Sequence, residues 1–110
     1  MPWCYESMAA PTEMKNCLHL LVSSSAEAMA ACRSHFKTGD TVFLLDDGVM
    51  AFAADDSGFI SSSLRACHFS AADLEARGLI NAARDAGASI VDDAEFIELL
   101  QQYDFCLTWK

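Results

Sequence analysis

The sequence has few basic residues. Of its 110 residues, 7 are Lys or Arg and 16 are Asp or Glu, which gives a formal net charge of −9 at pH 7. A protein that binds nucleic acid by itself normally presents a basic face, because contacts with phosphates dominate the affinity. The composition therefore argues against direct nucleic-acid binding, and a function on RNA would require another subunit to contact it.

A long apolar run and an export signal are also missing. No segment approaches the roughly 20 consecutive apolar residues that span a bilayer. The first residues contain no basic region followed by an apolar core, which a secretory signal would need. These absences predict a cytoplasmic protein without membrane contact. In that reducing compartment, the five cysteines are expected to be thiols rather than a disulfide framework.

Familiar catalytic and cofactor motifs are absent as well. There is no glycine-rich dinucleotide loop, no phosphate-binding P-loop and no recognisable set of Ser, His and Asp. The cysteines and histidines do not show the spacing of a structural zinc site. We therefore predict no structural zinc site and no cofactor.

What the sequence does contain fits one small domain. Hydrophobic residues make up 53% of the chain, which argues against disorder. Residues 1–14 show no periodicity and are interpreted as a loose N-terminal extension, with Met14 as an alternative start. Residues 15–110 are predicted to form a single domain.

Apolar strand patterns alternate with helical patterns along that domain. Strands alternating with helices imply right-handed crossovers and a mostly parallel sheet. The predicted fold is an α/β three-layer sandwich, with helices on both sides of a mostly parallel five-stranded sheet. The strands are predicted at residues 17–22, 41–45, 65–69, 88–91 and 105–109, and the helices at 26–36, 48–54, about 71–77 and from 92 onward.

The second predicted strand leads directly into Asp46, Asp47 and Gly48. In open α/β sheets, functional residues gather at the carboxyl ends of strands. Three interpretations stay open: a carboxylate pair that binds Mg²⁺, part of a phospho-receiver site, or a strand-to-helix turn in which Asp caps the helix and Gly allows close backbone approach. A receiver would need acidic residues after the first strand, where Val22 and three serines stand instead.

Cys32 is the cysteine with a plausible chemical function. Its spacing from Met29 and Phe36 places it on or beside the apolar face of the first helix. One hypothesis is a small buried hydrophobic residue. The other is a thiol that carries sulfur as a persulfide, which requires exposure and an electropositive environment.

Three other cysteines and two of the histidines are predicted to be structural. Cys17, Cys67 and Cys106 lie in apolar strand patterns and are expected in the core. His19 and His68 also lie in predicted strands, where a single histidine is more often a hydrogen-bonded structural residue than a catalyst.

Trp109 is a large apolar residue next to the C-terminus, where chains usually fray. Tryptophan is over-represented at interface hot spots. Trp109 is therefore predicted either to contact a partner or to close one edge of the sheet.

Several segments together resemble the DsrH/TusB family of sulfur-relay subunits, over about residues 14–110. Each motif is short, and it is their order and spacing that make the resemblance specific. The segments are Leu18-His19-Leu20-Leu21, Gly39-Asp40, Asp47-Gly48-Val49, Asp73-Leu74-Glu75-Ala76-Arg77-Gly78, Phe96-Ile97-Glu98-Leu99-Leu100, Asp104 and Trp109.

The resemblance implies a DsrE-like fold and a subunit of a hetero-oligomeric sulfur-relay complex. The implied partners are TusC/DsrF-like and TusD/DsrE-like subunits and a TusE/DsrC-like sulfur acceptor. The implied process is transfer of persulfide sulfur towards 2-thiouridine at the wobble position of tRNA. A DsrH-type role in dissimilatory sulfur oxidation and a protein-interaction module without sulfur chemistry stay open as alternatives.

The resemblance also bears on single residues. In this family the persulfide cysteine belongs mainly to the TusD-like subunit, but DsrH subunits can carry a cysteine on the first helix, and Cys32 matches that position. We therefore predict Cys32 as an accessory sulfur carrier in an otherwise non-catalytic subunit. Asp46, Asp47, Gly48 and Trp109 are the predicted interface residues.

Overall fold

The structure is a computed structural model that describes residues 16–53, 58–103 and 105–110. The predicted extension at residues 1–14, including Cys4 and the alternative start at Met14, lies outside the described residues. The division into an extension and one domain therefore stays a prediction.

Five strands and five α-helices alternate along the described residues, and two short 3-10 helices occupy Asp46–Phe52 and Leu64–Ala66. The strands are β1 (Cys17–Leu21), β2 (Thr41–Leu44), β3 (Cys67–Ser70), β4 (Ser89–Val91) and β5 (Phe105–Trp109). The helices are α1 (Ala26–His35), α2 (Phe59–Ser62), α3 (Ala71–Ala76), α4 (Ile80–Asp85) and α5 (Asp93–Gln101).

All strand pairs are parallel, and the sheet order is β4-β3-β2-β1-β5. From β1 to β4 the chain moves in one direction across the sheet, so right-handed crossovers place α1, α2, α3 and α4 on one face. The connection from β4 to β5 crosses back over the whole sheet, which places α5 on the opposite face. The three-layer α/β/α prediction is confirmed, with a sheet that is parallel throughout.

Helices α1, α3 and α5 each begin at a residue whose side chain caps the helix. The Ser25 hydroxyl caps α1 by accepting from the amide of Ala28, and the Ser70 hydroxyl caps α3 by accepting from the amide of Asp73. Asp92 begins α5 with a complete capping box. These capping contacts explain why the three helices begin where they do.

The middle of the chain differs from the prediction. The helix expected at residues 48–54 is a 3-10 helix that already begins at Asp46. Helices α2 and α4 lie outside the helices predicted from the sequence. Both helices are short, so their few residues give too little periodicity for a pattern to indicate them.

The face that carries α1 to α4, called here the helix-rich face, contains the main hydrophobic core. Across the sheet, one row of neighbouring side chains on this face is apolar from edge to edge: Ile90, Phe69, Leu44, Leu21 and Trp109. The three central members of this row are fully buried beneath the helices.

The opposite face, called here the α5 face, is covered mainly at its centre. Phe96 of α5 stacks on Phe43 of β2, with ring centroids 4.2 Å apart and an angle of 15° between the planes. The Tyr103 hydroxyl and the Thr41 hydroxyl form a hydrogen bond of 2.6 Å beside this stack. No residue of α5 itself is fully buried, and its Phe96, Leu99 and Leu100 are half-buried.

Candidate functional site

The structure places Cys32 inside the core of the helix-rich face. Its side chain is completely buried between α1 and the sheet. Burial raises the pKa of the Cys32 thiol from 9.0 to about 12, and the nearby negative charge of Asp40 contributes to the same shift. At neutral pH the group is therefore a protonated thiol, whereas the nucleophile in sulfur transfer is a thiolate.

His19 is the histidine in this part of the core, and it is fully buried on β1. Its Nε2 lies 2.9 Å from Oδ2 of Asp40, and its Nδ1 accepts a hydrogen bond of 3.0 Å from Nε1 of Trp109. Both ring nitrogens are therefore occupied, so in this arrangement His19 offers no free nitrogen to accept a proton from Cys32.

The hydrogen bonds of His19 determine where its ring proton lies. An indole N–H only donates, so Nδ1 of His19 must be the unprotonated acceptor. The ring proton then lies on Nε2 and is donated to the Asp40 carboxylate. The histidine is held as one neutral tautomer, which confirms its predicted structural role.

Asp40 is the centre of this buried network, and it is not among the predicted site residues. Its carboxylate also accepts from the backbone amides of Cys17, at 3.0 Å, and Lys37, at 3.0 Å. Three donors thus satisfy a carboxylate whose side chain is almost fully buried. In the sequence, its signals are its place in the Gly39-Asp40 segment of the family resemblance and its position directly before an apolar strand, which many turns also show.

Asp46 and Asp47 lie at the other end of the sheet, beyond the carboxyl end of β2. Their carboxylates accept hydrogen bonds from one guanidinium nitrogen of Arg77, at 3.2 and 2.8 Å respectively. The amide of Asp46 donates to Asp73 at 2.7 Å, and Asp46 has a positive φ of 55°. The acidic pair is thus part of a surface cluster that joins the 3-10 helix to α3.

Neither aspartate caps the 3-10 helix through its side chain, because Leu45 occupies the cap position. That part of the turn interpretation is wrong, since both aspartates lie inside the first helical turn. The close approach expected at Gly48 is confirmed. A β-carbon at this position would lie 1.8 Å from the carbonyl oxygen of Leu21.

Trp109 is half-buried and contacts the end of the core instead of extending freely. Its ring stacks with His19 at 6.1 Å and lies 5.0 Å from the ring of His35, both measured between centroids. Its backbone carbonyl also accepts from the amide of Val22 at 3.1 Å. The role as an edge-closing residue fits these contacts, and the role in an interface stays a prediction.

The predicted site residues do not form one cluster. Gly48 and Trp109 both pack near the carboxyl end of β1. Cys32 lies in the second half of α1, close to Asp40 at the amino end of β2. The candidate thiol and the acidic turn therefore lie at opposite ends of the sheet.

Two other predictions about cysteines and histidines can be compared with the structure. Cys17 and Cys67 are buried as expected, but Cys106 is exposed, so its assignment to the core is wrong. The reason is that β5 is an edge strand and Cys106 points to the α5 face. His68, on the same face, is half-buried and bonds through Nδ1 to the Ser89 hydroxyl at 2.7 Å.

Among residues 16–53, 58–103 and 105–110, no group of three or more potential metal ligands comes together. Within the same ranges, none of the helices has the length and apolar character needed to cross a membrane.

Comparison with known families identifies the chain. The comparison with curated proteins gave no match. Residues 22–105 match the family described as DsrH like protein. This match spans all five helices, β2, β3 and β4 and the region that holds Cys32 and Asp40, so it covers most of the fold described above. The chain belongs to the DsrH-like family, whose members are subunits of sulfur-relay complexes.

Proposed function

We infer that this chain is a TusB/DsrH-type subunit of a cytoplasmic hetero-oligomeric complex that delivers persulfide sulfur for 2-thiolation of the tRNA wobble uridine. Membership of the DsrH-like family carries this proposal. The net charge of −9 supports it, because an acidic subunit suits protein contacts and leaves tRNA binding to another component. The partners are a TusC/DsrF-like subunit, a TusD/DsrE-like subunit and a TusE/DsrC-like sulfur acceptor.

The chemistry of such a relay requires only two thiols and a docking surface. An acceptor thiolate attacks the outer sulfur of the donor persulfide, the sulfur–sulfur bond of the donor breaks, and the donor leaves as a thiolate. The outer sulfur is then bonded to the acceptor, and no external oxidant or reductant is consumed. No cofactor is required for this exchange.

The described residues favour a structural role for this subunit in the relay. Cys32 is buried and its thiol has a raised pKa, so it cannot attack a persulfide in the described conformation. Cys32 can act as the predicted accessory carrier only when α1 moves away from the sheet and exposes the thiol. Without that movement, the subunit contributes interface surface while the transferred sulfur passes between cysteines of its partners.

The experiment is a deletion of the gene in the native host, complemented by the wild-type chain or by Cys32→Ser, with Cys106→Ser as the matched control. We expect 2-thiouridine in total tRNA to be lost on deletion and restored by all three chains. Loss with Cys32→Ser alone, while the variant still assembles, would establish Cys32 as a carrier.

Thiouridine that is unaffected by deletion would contradict the proposal for tRNA. If the deletion strain instead fails to oxidise reduced sulfur compounds, the alternative role in dissimilatory sulfur oxidation replaces it. If neither process changes, the protein is an interaction module without sulfur chemistry.

A further inference from the structure

Helix α5 presents an exposed stripe with an apolar centre. Ala94, Ile97, Glu98 and Gln101 follow the spacing i, i+3, i+4, i+7 of one helix side, and all four are exposed. We call these residues the α5 outer stripe. Ile97 at its centre is 55% exposed, the largest value among the exposed large hydrophobic residues of the described chain.

The sheet beneath α5 is wider than the helix that covers it. Five strands at a spacing of about 4.8 Å span roughly 19 Å between the outer strands, whereas one helix with its side chains is about 10 Å wide. On this face, the side chains at both edges are accordingly exposed, with Ser89 on β4 and Thr108 on β5. Within the described part of the chain, the apolar centre at Ile97 is therefore flanked by polar, exposed sheet edges.

The charged residues of helix α5 and its N-cap all have one sign, although exposed Lys110 follows Thr108 at one sheet edge. Helix α5 and its N-cap contain Asp92, Asp93, Glu95 and Glu98 and no basic residue. Two copies of this acidic surface would repel each other across an interface, and the chain as a whole carries a net charge of −9. Nucleic acid is disfavoured for the same reason. The complementary surface is a protein with an apolar contact area surrounded by Lys or Arg.

We propose that the α5 outer stripe and the sheet edges beside it bind a different protein, through an apolar contact at Ile97 and ion pairs between the carboxylates of α5 and basic residues of the partner. This inference rests on the proposed function for the partner's identity, which is a DsrE-like subunit of the same relay complex. Burial of an exposed apolar centre within a charged rim is how such interfaces are generally built.

The test uses the full chain, tagged and expressed in the native host, as the wild type and as Ile97→Ser, Glu98→Lys and Asp85→Lys. Asp85 is exposed on α4, at the helix-rich face, so Asp85→Lys changes the net charge as Glu98→Lys does but at a distant place. Each purified sample is analysed by native mass spectrometry and treated with a carbodiimide, which couples carboxylates directly to lysine amines. Circular dichroism verifies that each variant is folded.

We expect the wild type to retain a DsrE-like subunit, with carbodiimide cross-links between Asp93 or Glu98 and lysines of that subunit. Ile97→Ser and Glu98→Lys should each reduce its recovery about tenfold, the usual effect of truncating or reversing a central interface residue. Asp85→Lys should retain it. Because salt screens surface charges, the loss with Glu98→Lys should shrink as ionic strength rises, and the loss with Ile97→Ser should persist.

The remaining outcomes separate failure of this surface from failure of the proposed function. If all four chains recover the same subunit equally, the α5 surface is wrong and the proposed function stands. A wild-type chain that elutes alone as a monomer contradicts the proposed function and this inference with it. A homo-oligomer that the α5 variants disrupt identifies a second copy as the occupant and overturns the inference.

Discussion

The two faces of the sheet differ although they are made by the same five strands. On the helix-rich face, the row of Ile90, Phe69, Leu44, Leu21 and Trp109 is apolar throughout. On the α5 face, a matching row runs through Ser89, His68, Phe43, Leu20 and Thr108, with exposed polar residues at both ends. In the described part of the chain, one face is covered by four helices and the other is covered only in the middle, by α5.

The order of the strands explains this difference. Three successive crossovers place four helices on one face, and a single return crossover places α5 on the other. Stability is therefore concentrated on the helix-rich face, where Phe69 and Leu44 are fully buried. The α5 face can vary at its edges with little cost to folding, which makes it the available surface for contacts with other proteins.

The largest expected loss of stability on the helix-rich face comes from Gly48→Ala. The added β-carbon would lie 1.8 Å from the Leu21 carbonyl oxygen and 2.7 Å from the Leu21 carbonyl carbon, which are backbone atoms that cannot rotate away. We expect a loss of about 5 kcal/mol in the free energy of unfolding, measured by urea denaturation. Such a loss would leave most small domains unfolded or nearly so.

Gly87→Ala is the matched control for this change. Gly87 has a positive φ of 78°, and nothing lies within 4 Å of an added β-carbon. Its substitution should cost only about 1–2 kcal/mol, from the backbone conformation alone. If both variants lose the same amount, then the 3-10 helix can shift away from β1, and the face is less tightly closed than the structure indicates.

The second test compares the loss of stability when one phenylalanine ring is removed from each face of the sheet. Phe69→Ala removes a fully buried ring from the helix-rich face, and we expect a loss of about 4 kcal/mol in the free energy of unfolding. Phe96→Ala removes the half-buried ring that stacks on Phe43 and should cost about 2 kcal/mol. Equal losses, measured by urea denaturation, would show that the α5 face contributes as much to stability as the other.

Much of this fold follows from local patterns in the sequence. The five strands were placed within a few residues, because each is a short apolar run between polar turns, and β5 was placed at its observed bounds of Phe105–Trp109. Ser25 and Ser70 mark helix starts by a hydrogen bond that reaches only three residues ahead. Interactions of this range can be recognised without knowledge of the tertiary structure.

The candidate site depends on contacts between distant residues and was predicted less well. His19 and Trp109 are 90 residues apart in sequence, and His19 and Asp40 are 21 apart, so no local pattern connects them. Cys106 looked like a core residue because its neighbours are apolar, but its exposure depends on β5 being an edge strand. The order of the strands determines both the contacts of His19 and the exposure of Cys106, and this order depends on the whole chain.

The third test uses the pH dependence of stability to examine the buried Cys32 thiol in the core of the helix-rich face. The pKa of Cys32 is about 12 in the folded chain and close to 9.0 when the thiol is unburied, so unfolding releases a proton between these values. The unfolded state then binds fewer protons than the folded one, and stability falls as pH rises from about 9 towards 12. Between pH 9 and pH 11, we expect Cys32 to reduce the free energy of unfolding by about 2.5 kcal/mol.

Cys32→Ala isolates this contribution, because the other titrating groups cancel when the two chains are compared at each pH. At pH 7 the variant should be less stable than the wild type, since it leaves a small cavity. The difference should shrink and then reverse as the pH rises to 11. A constant difference for Cys32→Ala would indicate a thiol that solvent already reaches.

The smallest loss of stability is expected at the edge of the helix-rich face, for Trp109→Phe. This change keeps an aromatic ring but removes the indole N–H, which leaves Nδ1 of the buried His19 without its donor. We expect a loss of about 1.5 kcal/mol in the free energy of unfolding, mainly from the unsatisfied buried nitrogen. His35→Ala serves as the control, because it removes the other ring contact of Trp109 without affecting that hydrogen bond, and it should cost less.

Nitrogen NMR shifts of the His19 ring give a second measurement: the wild type should show the tautomer with its proton on Nε2. An Nδ1-protonated ring in the wild type would contradict the hydrogen bond donated by Trp109 to His19.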